Sequence, residues 1–81
     1  MYLIDETKQK ALNLKNIDEF HSFYLNNDTI INFLSAGKIV RAIRFKEQKL
    51  NNEAIIKKLI FLVNTEKIMN IETLIQKLKE Q

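Results

Sequence analysis

The chain contains no proline and a single glycine, Gly37, so few positions interrupt regular secondary structure. Apolar residues recur at intervals of three and four along nearly all of the 81 residues, and strict alternation of apolar and polar residues is rare. This spacing is typical of amphipathic helices. The sequence therefore predicts an all-α fold, a compact bundle of four to five short helices forming a single small helical domain over residues 1–81.

Short polar side chains mark the ends of the first expected helices, because these residues favour caps and turns. Asp5 is the expected N-cap of a helix that runs to about Leu14. Asn16, followed by Glu19 three residues later, has the spacing of a capping box and predicts the start of a second helix. The sequence NND at residues 26–28 is expected to end that helix.

The helix expected over residues 52–63, with Asn51 as its N-cap, is apolar nearly all round apart from Lys57 and Lys58. Such a helix belongs either in the centre of a bundle or in a subunit interface, and both alternatives stay open. A homodimer, or docking on another protein, would bury the excess apolar surface. The predicted interface consists of one apolar run and two aromatic residues: Leu59, Ile60, Phe61, Leu62, Val63, Phe20 and Tyr24.

The segment from residue 29 to residue 50 contains the single glycine. At 100° per residue, the apolar residues before Gly37 and those after it point in nearly opposite directions. A break at Gly37, in the left-handed conformation that glycine adopts without a Cβ penalty, explains the change of face. One continuous helix is the alternative. A short helix, a turn and a second helix would form a helix-turn-helix at about residues 29–50.

Positive charge is concentrated in the middle of the chain. The net charge is +3, but residues 38–58 carry seven lysines or arginines and only two glutamates. On a helix over residues 38–49 four of these cations would share one arc, which favours entry into a nucleic-acid groove. An ordinary solvated helix face is the competing interpretation. The predicted nucleic-acid-binding residues are Lys38, Arg41, Arg44, Gln48 and Lys49.

Residues that support catalysis are scarce. The chain has no cysteine and a single histidine, His21, which excludes thiol chemistry and any metal site built from several histidines. Asp18 and His21 have the spacing of half a di-iron motif, but a di-iron bundle needs that motif twice. One glycine cannot build a glycine-rich phosphate loop. We therefore expect no enzyme activity, no metal and no cofactor.

Membrane insertion and secretion are also not expected. No apolar run approaches the roughly 20 residues that a transmembrane helix needs. Asp5 and Glu6 interrupt the first residues before the apolar region of a signal peptide could form. The expected location is the cytoplasm.

In size and composition the chain resembles the small helical proteins of phages, plasmids and other mobile elements, such as regulators, inhibitors of host systems and bacteriocin immunity proteins. The resemblance implies a helical binding protein and transfers no site residues. The leading prediction is a non-enzymatic protein-interaction module, inhibitor or regulator that binds a macromolecular partner, with homodimerisation through residues 52–63 as an option. The alternatives are a helix-turn-helix regulator that binds nucleic acid through residues 38–49 and a bundle like the bacteriocin immunity proteins.

Overall fold

A computed structural model describes residues 1–46 and 50–80 and shows a mixed α/β fold. The prediction of an all-α bundle of four to five helices is therefore wrong, and so is the helix-turn-helix at residues 29–50. The described elements are β1 (Tyr2–Asp5), β2 (Lys10–Asn13), a short 3-10 helix (Leu14–Asn16), β3 (Glu19–Leu25), β4 (Asp28–Ser35), β5 (Lys38–Phe45), α1 (Asn52–Thr65), β6 (Ile68–Asn70) and α2 (Ile71–Lys79).

The larger sheet is an antiparallel meander in the order β3-β4-β5. Two-residue turns join its strands. Asn26 and Asn27 have φ angles of 49° and 67°, and Ala36 and Gly37 have φ angles of 53° and 77°. Positive φ at both central positions is the signature of a type I′ turn, whose twist matches that of the flanking strands. Gly37 thus adopts the expected left-handed conformation, but it closes a hairpin and does not end a helix.

The central strand β4 explains why the sequence lacks alternation. Thr29, Ile31 and Phe33 lie on one face and are fully buried in the molecule. Ile30 and Leu34 lie on the other face and are also buried, yet they stand outside the main core cluster. A strand with apolar residues on both faces gives a continuous apolar run, which periodicity cannot distinguish from a buried helix.

The smaller sheet has the order β2-β1-β6. β1 pairs antiparallel with β2 and parallel with β6, so residues from the two halves of the chain meet in this sheet. β6 occupies residues 68–70, directly before the second helix. α2 begins at Ile71, after the N-cap Asn70, whose side chain accepts a hydrogen bond of 2.9 Å from the backbone N–H of Thr73.

The helix expected over residues 52–63 is confirmed as α1. Its predicted N-cap is also confirmed, since the Asn51 side chain accepts hydrogen bonds from the backbone N–H groups of Glu53 and Ala54. Neither described helix is both long and apolar enough to cross a membrane. The main hydrophobic core combines residues of both sheets and both helices: Met1, Leu3, Leu14, Ile31, Phe33, Ile43, Phe45, Leu50, Ile55, Leu59, Leu62, Met69, Leu74 and Leu78.

Candidate functional site

Three of the four cations assigned to a basic helix, Lys38, Arg41 and Arg44, lie on the edge strand β5. Residues three apart share a face of a helix but point to opposite sides of a strand, so the sheet separates Arg41 from Arg44. Arg41 lies on the core side, where its Nη2 donates to Asp5 Oδ2 at 2.5 Å. Arg44 lies on the opposite side, where its Nε donates to Asp28 Oδ2. The single basic arc expected from the sequence is therefore not formed.

The other predicted nucleic-acid-binding residues are Lys38, Gln48 and Lys49. Lys38 is exposed at the first position of β5. Gln48 and Lys49 lie outside the described residues. The prediction of a basic helix over residues 38–49 is wrong, because residues 38–45 form a strand. Contact of these side chains with nucleic acid stays a prediction.

The residues of α1 predicted for an interface divide between core and surface. Leu59 and Leu62 are buried in the core, and Val63 is half-buried against it. Ile60 and Phe61 are exposed. An interface on this helix stays a prediction. Of the predicted interface residues on α1, Ile60 and Phe61 have exposed side chains.

The two aromatic residues predicted for the same interface lie on β3. Phe20 is half-buried and packs edge-to-face on Phe33, with ring centroids 5.4 Å apart. Tyr24 is exposed. Their neighbour His21 is exposed too, with its Nε2 2.9 Å from Glu19 Oε2. Among the residues that the structure describes, no three histidine, aspartate or glutamate side chains are grouped to hold a metal ion.

The face of the β3-β4-β5 sheet that points away from the core is here named the outer face. Phe23, Leu25 and Ile39 on this face are 38%, 46% and 58% exposed, so each keeps more than a third of its surface open to solvent. The solvent face of an antiparallel sheet usually carries polar residues. The outer face consists of four cross-strand rows: Leu25 and Asp28; Phe23, Ile30 and Arg44; His21, Asn32 and Ala42; Glu19, Leu34 and Ile39.

These rows give the outer face two apolar patches with a polar row between them. One patch centres on Ile30, whose row contains Phe23, and the other centres on Leu34, whose row contains Ile39. Ile30 and Leu34 are buried without belonging to the main core. Protein–protein interfaces usually have an apolar centre and a polar rim, whereas on the outer face the polar row lies between the two apolar patches.

A second candidate site is a cleft at the ion pair between Asp5 and Arg41. Two cavities adjoin this pair, one of about 200 Å³ and one of about 250 Å³. Lys8 and Lys10 line the first cavity. The second cavity is lined by carboxylates, those of Glu6 and Glu72. The ion pair thus stands between a cationic and an anionic cavity.

Asp5 is fixed in the cleft by several donors. Its Oδ1 accepts a hydrogen bond of 2.7 Å from Thr7 Oγ1 and one of 3.3 Å from the backbone N–H of Lys8, and its Oδ2 accepts from Arg41. The hydroxyl of Thr7 lowers the pKa of Asp5 most, burial opposes this effect, and the charge of Arg41 lowers the pKa further. Asp5 is therefore ionised at neutral pH.

Arg41 is held less completely than Asp5. Its Nε is buried and has no hydrogen-bond partner among the described residues. A buried donor without an acceptor costs about 1–3 kcal/mol. Asp5 thus engages the guanidinium through one nitrogen and not through the bidentate geometry that arginine and carboxylate groups favour.

Sequence reasoning missed this cleft because it treated Asp5 as a helix cap. A local signal was present, since an aspartate followed two residues later by threonine is a pattern of polar turns as well as of helix starts. The partner Arg41 lies 36 positions along the chain and is brought to Asp5 only by the strand pairing.

No protein-family model matches the chain. No curated protein matches it. No solved structure matches it either. Function is therefore inferred from the outer face and the cleft alone.

Proposed function

We propose that this chain is a non-catalytic binding protein that docks the apolar surface of a protein partner on its outer face. The observation that carries the proposal is the exposure of Phe23, Leu25 and Ile39 on one face of the β3-β4-β5 sheet. Exposed apolar groups clustered on one face of a small protein are characteristic of interaction sites, whereas scattered ones are ordinary.

The charged residues of the outer face largely offset one another. Arg44 on this face is paired with Asp28, and Glu19 is a second carboxylate on the same face. Lys38 lies opposite Ser35 and therefore on the core side of the sheet. The apolar patches, and not charge, therefore carry the proposal.

The polar groups of the two sites support binding in preference to catalysis. Among the described residues, the imidazole of the exposed His21 pairs with Glu19 and not with a nucleophile. Asp5 is ionised and accepts hydrogen bonds on both oxygens, which makes it a positioning group for Arg41 and a poor proton donor. A cytoplasmic location is part of this proposal.

A matched pair of surface variants tests the proposal. Ile39→Glu places a carboxylate on the outer face at a side chain that is already 58% exposed. Ile68→Glu makes the same change at a side chain that is 64% exposed on β6, in the other sheet. Each tagged variant and the wild type are used to capture proteins from the cells that encode the chain, and the captured proteins are quantified by mass spectrometry after circular dichroism has verified the fold.

A protein captured by the wild type and by Ile68→Glu, but lost with Ile39→Glu, supports docking on the outer face. Equal capture by all three chains, or loss with Ile68→Glu alone, contradicts it. Light scattering measures the oligomeric state of the same three samples. If the wild type and Ile68→Glu are dimers and only Ile39→Glu is a monomer, the partner on the outer face is a second copy of this chain.

A further inference from the structure

We propose that the cavity beside Lys8 and Lys10 binds a small carboxylate with a short apolar body. This inference is independent of docking on the outer face, because the two sites lie on opposite sides of the β3-β4-β5 sheet. Arg41, which lines the cavity, lies on the core side of β5. Ile39 and the rest of the outer face lie on the other side.

The charged residues that line the cavity indicate that its ligand is an anion. Asp5 and Arg41 neutralise each other across their ion pair, so Lys8 and Lys10 leave the cavity with a net positive charge. The neighbouring cavity has Glu6 and Glu72 in its wall and the opposite sign. An anion therefore selects the first cavity over the second.

The apolar residues that line the cavity indicate that the ligand also has an apolar part. Leu3, Leu12, Val40 and Ile71 line the first cavity together with the charged groups. Burial of an inorganic anion against these apolar walls gives no hydrophobic stabilisation, whereas burial of a short hydrocarbon chain does. The volume of about 200 Å³ suits a carboxylate that carries only a few methylene groups.

Arg41 is oriented for this role before any ligand arrives. Asp5 holds one of its nitrogens, and Asp5 is itself held by Thr7 and by the backbone of Lys8. A guanidinium group has five N–H donors, of which Asp5 uses one in the described contacts. A donor group fixed in advance loses little conformational freedom when it binds a carboxylate.

The test is a titration of the full chain, labelled with ¹⁵N, with sodium butyrate at constant ionic strength. We expect saturable shifts of the amide signals of residues 8–12 and 40–41, with a dissociation constant of about 1–10 mM for so small a ligand. n-Butanol tests the apolar body without the charge, and inorganic phosphate tests the charge without the apolar body. Both are expected to bind more weakly than butyrate.

Charge reversal at the cavity provides the matched variants. Lys10→Glu is expected to weaken butyrate binding roughly fivefold, because it replaces an attraction with a repulsion at a partly solvated site. Lys15→Glu makes the same change at an exposed lysine outside the cavity and is expected to leave the affinity within twofold of the wild type.

Several results would overturn the proposal: no saturable shift with butyrate, equal binding of n-butanol, tighter binding of phosphate, or equal loss of affinity in Lys10→Glu and Lys15→Glu. Each readout concerns the cavity alone. Loss of the outer-face partner in Ile39→Glu with unchanged butyrate binding would separate this inference from the proposed function.

Discussion

The carboxylate of Asp18 accepts a hydrogen bond of 2.7 Å from the backbone N–H of Ala36. The backbone N–H of Asp18 in turn donates to the carbonyl oxygen of Leu34 at 2.9 Å. The residue that precedes β3 is therefore attached both to the end of β4 and to the turn that follows it. This attachment supports the left-handed conformation of Ala36, which has φ of 53°.

Replacement of Asp18 tests this attachment. Asp18→Ala removes the acceptor and is expected to lower the free energy of unfolding by about 1 kcal/mol, since the bond is exposed to solvent. Asp18→Asn keeps an acceptor oxygen and is expected to retain most of the stability. Urea denaturation followed by circular dichroism measures both values. Equal losses in the two variants would show that the hydrogen bond to Ala36 does not stabilise the turn.

A better turn residue at position 36 is expected to stabilise the protein. Asparagine tolerates positive φ, and asparagine followed by glycine is the preferred sequence of a type I′ turn. Ala36→Asn is expected to raise the free energy of unfolding by about 0.5–1 kcal/mol and the melting temperature by roughly 4 °C. Ala42→Asn, within β5, is the matched control and is expected to lower both. A fall in the melting temperature of Ala36→Asn would contradict the turn assignment.

Truncation of a buried residue of α1 is expected to lower the stability much more than truncation of an exposed one. Leu59 is fully buried, so Leu59→Ala is expected to lower the free energy of unfolding by about 3 kcal/mol. Phe61 is 63% exposed, and Phe61→Ala is expected to change the stability by roughly 0.5 kcal/mol or less. Thermal and urea denaturation compare the two. A large loss in Phe61→Ala would mean that this side chain is covered in solution, as in a dimer through α1.

The depressed pKa of Asp5 makes stability depend on pH. The carboxyl has a pKa below 3.8 in the folded chain, so the unfolded chain takes up the proton first as the pH falls. The stabilisation is complete above the pKa of the unfolded chain and is lost as the pH falls through the folded pKa. The wild type is therefore expected to lose more stability between neutral pH and about pH 3 than Asp5→Asn, which has no such group.

Urea midpoints at the two pH values measure this difference. Glu66→Gln removes an exposed carboxylate that lines neither cavity of the cleft, and its midpoints are expected to differ by as much as those of the wild type. The same pH difference in Asp5→Asn as in the wild type would exclude a stabilising role for ionised Asp5.

The sequence predicts a helix correctly where a helical apolar pattern directly follows a polar N-cap residue. Asn51 and the apolar residues after it predict α1 correctly, because a side-chain cap and a helical apolar pattern depend on nearby residues. β4 was missed because it is apolar on both faces, so the alternation that distinguishes a strand was absent. The β-branched residues of β4 and the two-residue turns at residues 26–27 and 36–37 were the available strand signals.

The candidate sites were less predictable than the helices. Arg41 and Arg44 were correctly recognised as members of a local basic segment, but the helical assignment placed them on one face. Strand geometry places them on opposite faces, and only the tertiary fold supplies Asp5 and Asp28 as their partners. Phe23, Leu25 and Ile39 could not be recognised as a shared surface, since that relation depends on the register of three strands.

The parallel pair of β1 and β6 has a consequence for biosynthesis. Residues 19–45 can form their meander as soon as this segment has left the ribosome, because each strand pairs with the next one along the chain. β1 is translated before the meander but must wait for residues 68–70 before its sheet is complete. The cleft, whose wall includes Ile71 and Glu72, is therefore assembled only after residues 71 and 72 have been translated, whereas every strand pair of the outer face lies within residues 19–45.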